Sequence, residues 1–115
     1  MDEQRTSTTL IAHSKAVKAA GIAISLVLKV PAPLKSIADQ VIRSASSVAA
    51  NLAEGAGRSG RDRSHHYRIA YASAKEVDTH LQLLVGAEAI NAKRAHTAIQ
   101  HFDDVRALTW RLIHC

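Results

Sequence analysis

Residues 34–57 read LKSIADQVIRSASSVAANLAEGAG, and the spacing of apolar side chains in this stretch decides the fold. Leu34, Val41 and Val48 recur every seven residues, with Ala38, Ala45 and Leu52 interleaved, so the six share one stripe of an α-helix but would divide between both faces of a strand. The stretch closes on Gly55-Ala56-Gly57, where glycine suits the left-handed conformation that ends many helices. The spacing therefore predicts a helix over about 34–55 with a glycine C-cap.

Upstream, Val30-Pro31-Ala32-Pro33 must interrupt any helix, because proline supplies no N–H and disfavours helical backbone in the residue before it. Before that elbow, Leu10, Val17 and Ile24, interleaved with His13, Ala20 and Val27 and followed by Leu28, form a seam that predicts a helix over about 8–29, capped by Ser7, Thr8 or Thr9. Downstream, Tyr67, Ala74 and Leu81 with Ala70, Val77 and Leu84 predict a helix over about 61–90. Ala95, Phe102 and Thr109 with Ala98, Val105 and Leu112 predict another over about 92–113, with Asn91 as its cap.

Connections this short make consecutive helices antiparallel, and the class is all-α: an up-down-up-down four-helix bundle in a single domain spanning residues 1–115. The seams can be laid against one another in that arrangement. Leu28 faces Leu34 and Val17 faces Ala45; Val41 faces Val77 and Val48 faces Ala70; Val77 faces Val105 and Ala70 faces Leu112. Composition agrees, since 47% of residues are hydrophobic but only 3% aromatic, a balance that suits closely packed helices better than sheets.

The single cysteine, Cys115, allows no internal disulfide, and a cytoplasmic setting is expected. Met-Asp-Glu-Gln-Arg at the start lacks the pattern of a secretory signal, so no processing is expected. Ala19 to Leu28, the longest apolar run, falls short of the roughly 20 residues that cross a bilayer and is read as part of a buried helix.

Residues 43–58, RSASSVAANLAEGAGR, followed by AYASAKEVDTHL at 70–81, resemble the four-helix bundle proteins encoded in intervening sequences of bacterial 23S ribosomal RNA genes and, more distantly, the accessory variability proteins of diversity-generating retroelements. The most specific part is the Ser-x-x-x-Asn-x-Ala-Glu-Gly-x-Gly-Arg pattern from Ser47 to Arg58. The resemblance implies an up-down bundle, assembly into a ring-like homopentamer and, through the retroelement branch, RNA or DNA and a reverse transcriptase or other nucleic-acid enzyme as partners. Ala49-Ala50 stands where that family often has Pro-Ser, and His65-His66 where acidic and aromatic residues are usual.

Ser47, Asn51 and Glu54, at i, i+4 and i+7, form a polar stripe beside the Val48 and Leu52 seam, read mainly as a structural network with Gly55 and Gly57 at the corner between the second and third helices. Partners for Asn51 are expected at Tyr67 and Arg68, and for Ser47 at Tyr71. Glu54 has no second carboxylate at helical spacing, which argues against paired acid–base chemistry. Arg58, Arg61, Arg63 and Arg68, with His65 and His66, crowd the same corner against Asp62, and with a net charge of +5 they make a candidate phosphate-binding surface. The competing reading is a solvated loop whose arginines pair with Glu54 and Asp62.

The aromatic residues Tyr67, Tyr71, Phe102 and Trp110 lie on or beside the seams, so contact with the nucleic-acid backbone is expected in preference to base stacking. No metal site is expected from the seven histidines. His65 and His66 are adjacent, His96 and His101 are five apart, and Glu76 and His80 share a helix face without a third ligand; His13 lies on a seam. Cys115 has no neighbouring base, and no catalytic residue or cofactor fingerprint is evident. Ala12, Ala16, Ala19 and Ala23 on the first helix, and Ala49, Ala53 and Ala56 on the second, form small-residue stripes expected to contact a neighbouring subunit.

Overall fold

The structure, a computed structural model, describes residues 2–114, so Cys115 lies outside it. Helix α1 spans Asp2–Val27, a 3₁₀ turn spans Ala32–Leu34, and α2, α3 and α4 span Lys35–Ala56, Gly60–Gly86 and Ala92–His114. As expected, the elbow sits at the prolines, where the Leu34 N–H donates to the Pro31 carbonyl at 2.9 Å. Asn91 caps α4, its Oδ1 accepting the Arg94 N–H at 2.8 Å.

Three boundaries differ from the sequence expectation. Helix α1 begins well before Ser7, and Thr8 lies inside it with its hydroxyl donating back to the Gln4 carbonyl at 3.0 Å, so it does not cap the helix. Gly57 ends α2 at φ −87°, and the left-handed residue of the corner is Gly60, at φ +58°, where α3 begins. Helix α3 stops at Gly86, earlier than the apolar pattern suggests, in a six-to-one closure. The Ala89 N–H reaches the Leu84 carbonyl and the Glu88 N–H reaches Val85, both at 2.9 Å, with Glu88 in the left-handed position at φ 57°.

Each helix packs against its neighbours in sequence, and α1 also packs against α4, which closes the four into a bundle 46 Å long. Cross-helix bonds show that α2 and α3 run antiparallel, since Ser73 meets Ser47 and His66 meets Asn51, and near the start of α4 Arg94 meets Ser25 near the end of α1. The second, third and fourth seams form the core as expected. Val41, Val48 and Leu52, Tyr67, Ala70, Val77, Leu81 and Leu84, and Ala98, Phe102 and Val105 are all buried.

The first seam divides: Ala20 and Val27 are buried as expected and Ile24 is half-buried, but Leu10, Val17 and Leu28 face outward. Leu10, Val17 and Leu28 are 65%, 52% and 67% exposed, and the inner wall of α1 is Ala12, Ala16, Ala19, Ala20, Ala23 and Val27. Both stripes obey helical spacing, and alanine wins because the other three helices already supply Tyr67, Phe102, Leu52, Leu81 and Leu84. A fourth row of large side chains would overfill a core of native density. The four α1 alanines expected at a subunit contact are therefore committed to the protein's own core. By length and hydropathy alone, residues 3–27 could cross a membrane, but this alanine face is inside the bundle and Lys15 and Lys18 interrupt the apolar sequence.

Candidate nucleic-acid interface

The Ser47–Arg58 motif builds the corner between α2 and α3. Asn51 Nδ2 donates to the Ser47 carbonyl at 2.9 Å and to Ser47 Oγ at 3.1 Å, while its Oδ1 lies 2.9 Å from His66 Nδ1. Ser73 Oγ donates to Ser47 Oγ at 2.9 Å. This chain of bonds, from which Glu54 is absent, ties the two helices at a fixed register. Its partners are His66 and Ser73, where Tyr67, Arg68 and Tyr71 were expected. His66 stands one position before Tyr67 and Ser73 two positions after Tyr71, and since neighbouring residues point about 100° apart, it is the rotation of α3 about its axis that selects them.

Gly55 has a separate task. A Cβ there would lie 2.5 Å from Cε1 and 2.7 Å from Cδ1 of Tyr67, whose ring is buried across α2 at this point. Gly57 has no such constraint: a Cβ there would lie 3.7 Å from the Glu54 carbonyl, an ordinary van der Waals distance. Glu54 does not meet another carboxylate; its Oε2 lies 3.7 Å from Arg58 Nη2.

The six candidates, four arginines and two histidines, divide into distinct environments. Arg58 is already matched: Nη1 donates to Asp62 Oδ2 at 2.9 Å, and Glu54 approaches from the other side. The Asp62 hydrogen bond, followed by the Asp62 and Glu54 charges, holds its pKa above the ordinary arginine value. His66 is taken into the Asn51 network, and Arg63 is half-buried in a hollow with Arg5, Thr9 and Tyr67. Arg61, His65 and Arg68 remain exposed. They stand at i, i+4 and i+7 and so lie on one outer face of α3, and Lys75, also exposed, continues it two turns further. Sequence reasoning missed Lys75, although its seven-residue spacing from Arg68 was a usable signal. The result is a cationic ridge along the outside of the helix.

Trp110 is not sequestered: it is 50% exposed on α4, where Tyr71 of α3 lies beside it in the same groove. Among the remaining candidates, Ala49 is half-buried and Ala53 and Ala56 are exposed on the outer side of α2, and Ala56 shares a hollow with Leu10 of α1. His80 Nδ1 donates to the Glu76 backbone carbonyl at 2.8 Å, so its pairing with Glu76 does not involve the carboxylate. His13 is half-buried, His96 is exposed and His101 is half-buried. Among the described residues, no three of His, Cys, Asp and Glu gather in a group that could hold a metal ion.

Comparison with known proteins places this geometry in context. The family model for 23S rRNA-intervening sequence proteins matches residues 8–111. Among solved structures, a protein of unknown function from the S23 ribosomal protein family of Bacteroides thetaiotaomicron superposes with a TM-score of 0.84 at 22% identity, covering 94% of this chain and 99% of that one. No curated protein matches the chain.

Proposed function

The chain belongs to the 23S rRNA-intervening sequence protein family, and from that premise we propose that it is a non-enzymatic, self-associating cytoplasmic bundle that binds nucleic acid along the outer face of α3. The ridge of Arg61, His65, Arg68 and Lys75 carries the reading, because its two arginines and lysine face solvent along one line while Arg58 nearby is occupied by Asp62 and Glu54. Forked guanidinium groups on a rigid helix suit phosphate oxygens, and such contacts displace counterions from the nucleic acid.

Self-association is supported by the outer face of α1. Leu10, Val17 and Leu28 recur along it, each more than half exposed, and Ala53 and Ala56 of α2 add further exposed apolar surface. Burying the exposed half of each large side chain against another copy would contribute about 1 kcal/mol apiece. The family resemblance makes a ring of five the number to test, and a ring would multiply the ridge by the number of copies.

The test is affinity for mixed-sequence RNA as a function of salt. Binding should weaken steeply as salt rises, and Arg61→Gln or Arg68→Gln should each reduce the log–log slope by about one. Arg58→Gln should change the slope less. Absence of binding at low salt would leave a purely structural or protein-interaction scaffold.

A further inference from the structure

The half-exposed indole of Trp110 is apolar surface that the bundle does not use for its own core. Its ring is held in place by His114, which stacks on it with centroids 4.0 Å apart and planes inclined by 24°. Two adjoining hollows meet at Trp110 and Tyr71. One extends past Ile113 and His114 to Arg68; the other lies one turn earlier on α4, beside Ala107, Arg106 and Arg111. Of the three guanidinium groups, Arg106 meets a carboxylate, with Nη2 2.5 Å from Asp103 Oδ1, and its Nε has no partner among the described residues.

We infer that this groove is a stacking site for single-stranded nucleic acid, in which a base lies on the Trp110 indole beside Tyr71 and the adjoining phosphates meet Arg68 and Arg111. The inference rests on the proposed function, because Arg68 belongs to both the α3 ridge and the groove, so a strand following the ridge is led to the indole. Single strands are selected because a base inside a duplex has both faces covered by its neighbours, whereas an unpaired base offers a free face to an aromatic ring. A second copy of the chain fits the groove less well. The large exposed apolar stripe among the described residues is on α1, and between Glu3 and Asp39 the chain has Arg5, Lys15, Lys18, Lys29 and Lys35 but no carboxylate. Docking that stripe against Arg68 and Arg111 would bring like charges together.

Trp110 is the protein's one tryptophan, so its fluorescence reports on this groove alone. A short single-stranded oligoribonucleotide added at low salt should quench the emission, and its mixed-sequence duplex should bind without comparable quenching. Trp110→Ala should weaken single-strand binding by roughly 5- to 100-fold, the loss expected for one base–aromatic stack, with duplex affinity little changed. Trp110→Phe should restore most of it, which separates stacking from a fold defect. Single-strand binding without quenching, unchanged affinity in Trp110→Ala, or dissociation of an oligomer by that substitution with no effect on RNA would each overturn the inference while leaving the ridge reading standing. Failure of both RNA forms to bind at low salt would overturn the two together.

Discussion

At Gly55 the side chain is a hydrogen because a methyl would lie 2.5 Å from the ring of Tyr67, a residue buried to 1% exposure and unable to swing away. Gly55→Ala should therefore destabilise the protein by about 1–3 kcal/mol, as overpacking does in a filled core. The same change in a Tyr67→Ala background should cost much less, and urea unfolding of the four proteins in that cycle measures the coupling. Equal costs in both backgrounds would show that the glycine serves the backbone and not the tyrosine. The sequence reveals at this scale that residues 47–58 are a polar and glycine-rich corner, but not that Tyr67 dictates the glycine. That contact depends on how two helices are rotated about their axes. The same rotation decides that His66, and not Tyr67 or Arg68, completes the Asn51 network.

Helix α1 shows what element-scale periodicity can and cannot decide. Its alanine stripe and its leucine–valine stripe share helical spacing, and the inner face that the larger residues predict holds only in part: Ala20 and Val27 are inside, whereas Leu10, Val17 and Leu28 face outward. For α3 and α4 one apolar stripe decides the inner face, and in α2 the Val41, Val48 and Leu52 stripe is the buried one while Ala53 and Ala56 face outward. The assignment predicts opposite outcomes for adjacent residues. Ala16→Leu should destabilise the bundle by about 1–3 kcal/mol, whereas Val17→Ala should leave the thermal stability of the monomeric bundle nearly unchanged, since half of Val17 faces solvent. The reverse order in calorimetry would restore the leucine–valine stripe to the core. The end of α3 offers a gain of stability instead. Glu88 holds the left-handed position at φ 57°, and Glu88→Gly should stabilise by up to about 1 kcal/mol in urea unfolding; a loss would mean that the glutamate side chain makes a contribution larger than its backbone strain.

For the whole molecule, the four-helix class and antiparallel order follow from the sequence because three seams and short turns leave little alternative. The surface was less legible: sequence spacing placed Trp110 beside the core, yet it stands at a groove between α3 and α4, and it made the α1 alanines an interface when they are interior. What the bundle leaves uncovered is divided by side, with apolar α1 and small-residue α2 positions apart from the cationic α3 ridge. That division is what a self-associating, polyanion-binding protein requires, since assembly through one surface leaves the other open. Sedimentation velocity of the purified protein at micromolar concentration tests the assembly most directly. The wild type should sediment as a species several times its 12.4 kDa chain mass, and Leu10→Glu combined with Val17→Glu should convert it to a helical monomer. A wild type that sediments as a 12.4 kDa monomer under those conditions would contradict the account.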